Sequence, residues 1–193
     1  MSIIQRVNIP VEYGNAWWTI SSITGSLHRY DSKPPKFFFD EIPDKVKNAL
    51  EICSYPYNCF WDSTPEVKIL EPSARYNLEK MNSRLHFISN RRFFLSLIYA
   101  SFRSTLFESS KCAFSEIATL QEQVLARADN CLQRSLLVAK TSKSFKKNGV
   151  LFIGASIASA EMHAWIIESG SQPDHEDRNW INFQPLLALY YNE

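Results

Sequence analysis

This 193-residue chain predicts an α+β fold in two parts, a small sheet-plus-helix unit followed by a larger unit of helices and apolar strands. Three observations carry the prediction. Near the start, a β-branched and aromatic run ends in a turn signal and is followed by helical spacing. Near the end, helically spaced apolar residues give way to two continuous apolar runs of strand length. Between them lie two polar, proline-bearing stretches of the kind that separate structural units.

Composition sets the outer bounds. Hydrophobic residues at 45% and charged residues at 21% describe a globular chain that can bury a core rather than a disordered one. A formal net charge of +1 with no long basic stripe argues against a nucleic-acid partner. Lys143, Lys146 and Lys147 cluster locally, as they do at a solvated helix end. The densest apolar run, Phe93 to Phe107, is broken by Arg103 and several serines, so it reads as a core helix and not a membrane span. The N-terminus shows no apolar run of the secretory type, and the four cysteines are few. A cytoplasmic location with free thiols is therefore expected.

The first unit spans residues 1–65. Ala16-Trp17-Trp18-Thr19-Ile20-Ser21-Ser22-Ile23 reads as a strand, Thr24-Gly25-Ser26 as a turn, and Leu27-His28-Arg29-Tyr30 as a short partner strand. Asp31-Ser32-Lys33-Pro34-Pro35 breaks the pattern. Asp40-Glu41-Ile42-Pro43 reads as a helix start, with Asp40 as the cap and proline in the first turn. Val46, Ala49, Leu50 and Cys53 then follow at the spacing of one buried helix face. So small a sheet offers an open edge, to which a peptide can add as a strand through main-chain hydrogen bonds, or else it packs on the larger unit.

Ser63-Thr64-Pro65-Glu66 and Glu71-Pro72-Ser73 form the linker, and the second unit spans residues 80–193. Lys80 to Phe107 reads as mainly helical, with Phe93, Phe94, Leu97, Ile98 and Phe102 as a wide core-facing stripe. Phe114 to Leu125 is a second helix, buried through Ile117, Leu120, Val124 and Leu125. A third begins at Asp129-Asn130-Cys131, where two good cap residues put the cysteine in the first turn. Leu132, Ser135, Leu136 and Ala139 form its buried face, and it ends near Lys146-Lys147-Asn148-Gly149, basic residues before a glycine cap. Val150 to Ala155 reads as a central strand, and Glu161 to Glu168 as its neighbour across the loop Ala158-Ser159-Ala160. Alternation puts His163, Trp165 and Ile167 on one face.

The chemistry suggested by this order is thiol-dependent acyl transfer. Free amides and the macrodipole at a helix start favour a negative charge, hence a thiolate, at Cys131. A strand-borne His163 is a suitable proton acceptor, and acids follow at Asp174 and Asp177. Alone, a cysteine at a helix start is usually inert, and a histidine in a strand is usually a hydrogen-bonded core residue. It is their order and placement together that point to a site. A zinc centre is not expected, because Cys53 and Cys59 are too far apart in sequence for the usual pair and His28, His86 and His175 have no matching partners. Five scattered glycines make no phosphate-binding loop, so neither a metal nor an organic cofactor is expected.

Three segments together resemble the B protein of lasso-peptide biosynthesis. They are Cys131-Leu132-x-Arg134-Ser135-Leu136, then Lys146-Lys147-Asn148-Gly149-Val150-Leu151-Phe152-Ile153-Gly154, then His163-Ala164-Trp165. The resemblance covers about residues 125 to 193, and by size and order the first third looks like the leader-recognition module (RiPP recognition element) fused in some members. It implies a transglutaminase-like cysteine peptidase domain with a Cys131, His163 and Asp triad. It also implies an activity, removal of the leader from a ribosomally made precursor peptide, and a partner, an asparagine-synthetase-like macrolactam synthetase that receives the core. The chain departs from the family pattern at Ser169-Gly170-Ser171-Gln172-Pro173-Asp174-His175-Glu176-Asp177, where the Leu-Asn or Ile-Asn that precedes the family's aspartate is missing. Spacing favours Asp174 as the acid, with Asp177 and Glu176 as alternatives. Asn182 to Leu189 looks like the family's closing strand. Two other readings stand beside this one: a different transglutaminase-like acyl-transfer enzyme, and a non-catalytic peptide-binding module.

Overall fold

The computed structural model describes residues 4–21, 24–34, 41–54, 131–132, 135, 139, 145–168 and 182–192. They form an α+β arrangement of two antiparallel sheets and the helices packed on them. The larger sheet has four strands in the order β1-β7-β5-β6, formed by Ile4–Asn8, Gln184–Tyr191, Gly149–Ser156 and Glu161–Glu168. The smaller sheet has three, β2 (Val11–Tyr13), β3 (Ala16–Ile20) and β4 (Leu27–Tyr30), in chain order. Helix α1 is Asp44–Ser54, and a short helix α2, Phe145–Asn148, leads directly into β5.

The strand pair β5–β6 follows the sequence closely. Val150 lies opposite Ile167, Phe152 opposite Trp165 and Gly154 opposite His163, so these residues share one face. β5 is the central strand, with Val150–Ala155 buried throughout, which is why it reads as an unbroken apolar run instead of an alternating one. On its other side β7 closes the sheet, with a register irregularity between Ile153 and Gly154.

Local chemistry fixes the ends of the elements. β2 and β3 are joined by Gly14 and Asn15, both at positive φ (60° and 59°), which is the two-residue hairpin turn whose twist matches that of the strands. Helix α1 starts at Asp44, three residues later than the Glu41 start that an Asp40 cap implies. Proline disfavours helical backbone at the residue before it, so Ile42 cannot be helical with Pro43 behind it. The Pro43 carbonyl accepts the first helix bonds, from the Val46 and Lys47 amides at 2.9 Å each. Gly149 also has a different role from the left-handed cap its position suggests. Its φ is not positive, and it is required because a Cβ there would meet the Phe145 ring and lie 2.7 Å from the Phe145 Cα.

Helix α1 and the larger sheet share one core, against which Val11 of the smaller sheet packs. Val46 and Ala49 of α1 are buried with Val7, Phe152, Trp165 and Ile167. The N-terminal segment is also tied into the larger sheet directly. β1 pairs with β7 from Ile4↔Tyr191 to Asn8↔Leu187, and the Ile9 amide continues the ladder to the Leu186 carbonyl at 2.8 Å. Lys45 Nζ donates to the Tyr191 carbonyl at 3.2 Å. The expected strands β3 and β4 and the helix α1 are present; β2 and β3 lie against β7, and α1 packs on β5, β6 and β7 of the larger sheet. The proposed linker around Pro65 and Pro72, and the helices Lys80–Phe107 and Phe114–Leu125, lie outside the described residues. No helix among the described residues is long and apolar enough to cross a membrane.

Candidate functional site

Cys131, Leu132, Ser135 and Ala139 are helical, and Leu132, Ser135 and Ala139 are buried at the spacing of one face. Ser135 is fully buried, and its hydroxyl donates to the Ala164 carbonyl of β6 at 3.0 Å. That bond docks the helix carrying Cys131 against the strand that carries His163. Ser135 lies one turn from Cys131, about 6 Å along a helix axis. Ala164 is the residue next to His163, about 3.4 Å along a strand. Cys131 itself is a half-buried thiol outside any disulfide. The cap residues Asp129 and Asn130, and the acids Asp174, Glu176 and Asp177, lie outside the described residues.

His163 is half-buried, and its ring lies against two aromatic neighbours. Trp165, two residues on and therefore on the same face, stacks with it at 6.0 Å between centroids and 15° between planes. Phe183, immediately before β7, lies 5.1 Å away at 34°. Trp165 is in turn packed at 5.7 Å from Phe152 and is buried. Its indole N–H has no acceptor that meets hydrogen-bond geometry among the described residues. The nearby Cys53 sulfur is at best a weak acceptor. Burial dominates at that thiol and pushes its pKa up to about 12, opposed in small part by the indole N–H. Cys53 is thus a neutral core thiol and no nucleophile, as its place on the buried face of α1 suggests.

Two residues of this neighbourhood are missing from a sequence-only reading. Phe183 looks like one more apolar residue leading into the last strand. Gly154 looks like an incidental glycine in a strand, although an interior strand glycine is the recognised signal for a close approach. A Cβ there would meet the Gln184 carbonyl and approach the Trp165 ring to 2.7 Å.

The smaller sheet supplies a second feature. β4 pairs with β3 on one side, and among the described residues no strand covers its other side. Leu27 and Tyr30 are half-buried there, while His28 and Arg29 are exposed. Beside this edge Lys33 Nζ sits 5.1 Å from the centre of the Trp17 ring. No group of three or more His, Cys, Asp or Glu side chains placed to hold a metal occurs among the described residues. Comparisons with protein-family models, curated proteins and solved structures each return no match to this chain.

Proposed function

We propose that this protein is a cysteine peptidase that binds and removes the leader of a lasso-peptide precursor, through a transglutaminase-like Cys131–His163–Asp174 site. The observation that carries the reading is the Ser135–Ala164 hydrogen bond. It brings the helix bearing the candidate nucleophile against the strand bearing the candidate base. Beside it stands the sequence resemblance of residues 125 to 193. The edge of β4, which no strand covers among the described residues, supports the recognition half of the proposal, because an extended leader can add there as a fourth strand.

The chemistry then runs in two acyl-transfer steps. His163 takes the proton of Cys131, and the sulfur attacks the carbonyl of the last leader residue. The Cys131 backbone N–H, at a helix start, donates to the oxyanion of the tetrahedral intermediate. His163 returns the proton to the departing amine, which is the new N-terminus of the core, and leaves the leader as a thioester on Cys131. Water, deprotonated by His163, hydrolyses the thioester and frees the leader carboxylate and the thiol. Asp174, or Asp177 or Glu176 of the same segment, orients the imidazole and stabilises its charged form. The freed amine is the group that a macrolactam synthetase joins to an Asp or Glu side chain of the core.

Mass spectrometry of a leader–core peptide incubated with wild type, Cys131→Ala and His163→Ala tests the reading. Cleavage at one bond by wild type and by neither variant is the expected result. Cleavage by the Cys131→Ala protein would remove the nucleophile and the peptidase assignment with it. Leader binding without cleavage by any form, even with the synthetase added, would favour the peptide-binding module.

A further inference from the structure

We infer that Phe183 is a positioning residue for His163, reaching it across the central strand through a notch left by Gly154. The inference deepens the proposed peptidase reading and rests on it for its catalytic consequence. His163 is on β6 and Phe183 leads into β7, and β5 runs between the two. Adjacent strands lie about 4.8 Å apart, so backbones flanking a central strand are nearly 10 Å apart. Even so, the two rings are centred only 5.1 Å apart. The residue of β5 opposite His163 is Gly154, which also pairs with Pro185 of β7 beside the register irregularity. A side chain at that position would stand on the face that carries His163 and Trp165. The space is tight, since even a Cβ would come within 2.7 Å and 2.9 Å of the Trp165 ring carbons Cη2 and Cζ3 and would also meet the Gln184 carbonyl.

The imidazole therefore meets two rings, one from its own strand β6 and one from the residue that leads into β7. Trp165 is near-parallel to it and buried in the core; Phe183 is half-buried and approaches from the β7 side. A histidine ring confined this way has few rotamers available, and its nitrogens keep one heading. A base that must receive a proton from one atom and return it to another depends on that heading, and a misplacement of about 1 Å can cost roughly 100-fold in rate. The contact that Phe183 makes in this site is with the imidazole ring. Its effect passes through His163.

The test compares Phe183→Leu and Phe183→Tyr with wild type in the full chain. Leucine keeps an apolar group but loses the flat ring, and tyrosine restores the ring. Expected for Phe183→Leu are a fall in kcat of about 10-fold or more with KM for a leader–core peptide unchanged, and recovery in Phe183→Tyr. The imidazole resonances of His163, assigned with His163→Ala in a histidine-labelled sample, are expected to shift in Phe183→Leu, with a displaced titration midpoint. If Phe183→Leu does not fold, Phe183→Met takes its place. Unchanged His163 resonances and midpoint in the ring-less variant would overturn the inference, whatever happens to cleavage. Cleavage that survives in His163→Ala would instead defeat the peptidase reading, and the resonances would still report whether Phe183 holds the ring.

Discussion

Replacing Ser135 with alanine removes one oxygen at the point where the Cys131 helix meets β6. Ser135 is fully buried and its hydroxyl lies 3.0 Å from the Ala164 carbonyl, so no solvent water can replace the lost donor without rearrangement. A lost hydrogen bond of this kind costs about 0.5–1.5 kcal/mol net, and leaving a buried polar group unsatisfied raises the cost to about 1–3 kcal/mol. The Ala164 carbonyl belongs to a strand and has two lone pairs, so the expected loss is near the middle, about 1–2 kcal/mol. For a chain of this length each kcal/mol lowers Tm by roughly 2–4 °C. Urea unfolding of wild type and Ser135→Ala measures the change directly, as a lower midpoint at unchanged slope. Ser135→Val, which puts bulk where there is no space, should cost more. A Ser135→Ala midpoint indistinguishable from wild type would refute the reasoning, since the docking of helix on strand would then not depend on this bond. The same variant should cleave a leader–core peptide more slowly, because the bond lies one turn from the proposed nucleophile.

Three further outcomes are expected. Gly149→Ala forces a Cβ against the Phe145 ring and Cα where α2 turns into β5, and should cost about 1–3 kcal/mol, read as a lower urea midpoint. Cys53 makes stability fall in alkali: the unfolded chain releases the thiol proton near its ordinary value of 9.0, while the buried thiol holds it up to about 12. Its contribution is thus complete below pH 9 and declines above it, by about 1.4 kcal/mol per pH unit within that window. Melts at pH 8 and pH 10 should show a smaller alkaline loss in Cys53→Ala than in wild type, and equal losses would refute the assignment. Cys131→Ala should bind a leader peptide as tightly as wild type by fluorescence anisotropy, because the proposed recognition edge is on β4; weakened binding would defeat the separation of binding from chemistry.

Where residue type and spacing act locally, the sequence was a reliable guide. The apolar run 150–155 is the central strand because both its faces are covered, and the alternation of 161–168 correctly put His163 with Trp165. Val46 and Ala49 are buried because helical spacing needs only one partner surface, whatever that surface is. What was missed depends on contacts distant in sequence. Ile4–Asn8 is short and unpatterned, and becomes a strand through pairing with residues more than 170 positions away. Gly14-Asn15, by contrast, was a readable hairpin signal that went unused. Phe183 and Gly154 could not be linked to His163 without knowing that β5 lies between β6 and β7. The Asp40 cap failed because the steric effect of Pro43 on the residue before it outweighs cap preference.

The pairing of β1 with β7 has a consequence for how the chain comes into being. Residues 4–8 leave the ribosome first among the described elements, and their partner, residues 184–191, leaves last. Until then β1 is a strand without a sheet, and contacts this far apart in sequence are slow to form. Cleavage of a nascent or misprocessed chain near either end would leave β7 or β1 with a bare edge open to aggregation. A cut between the N-terminal and C-terminal halves, by contrast, would still leave two pieces that need each other's strands. Co-expressed fragments split in the expected linker, residues 63–73, should therefore reassemble, whereas residues 80–193 produced alone should be insoluble.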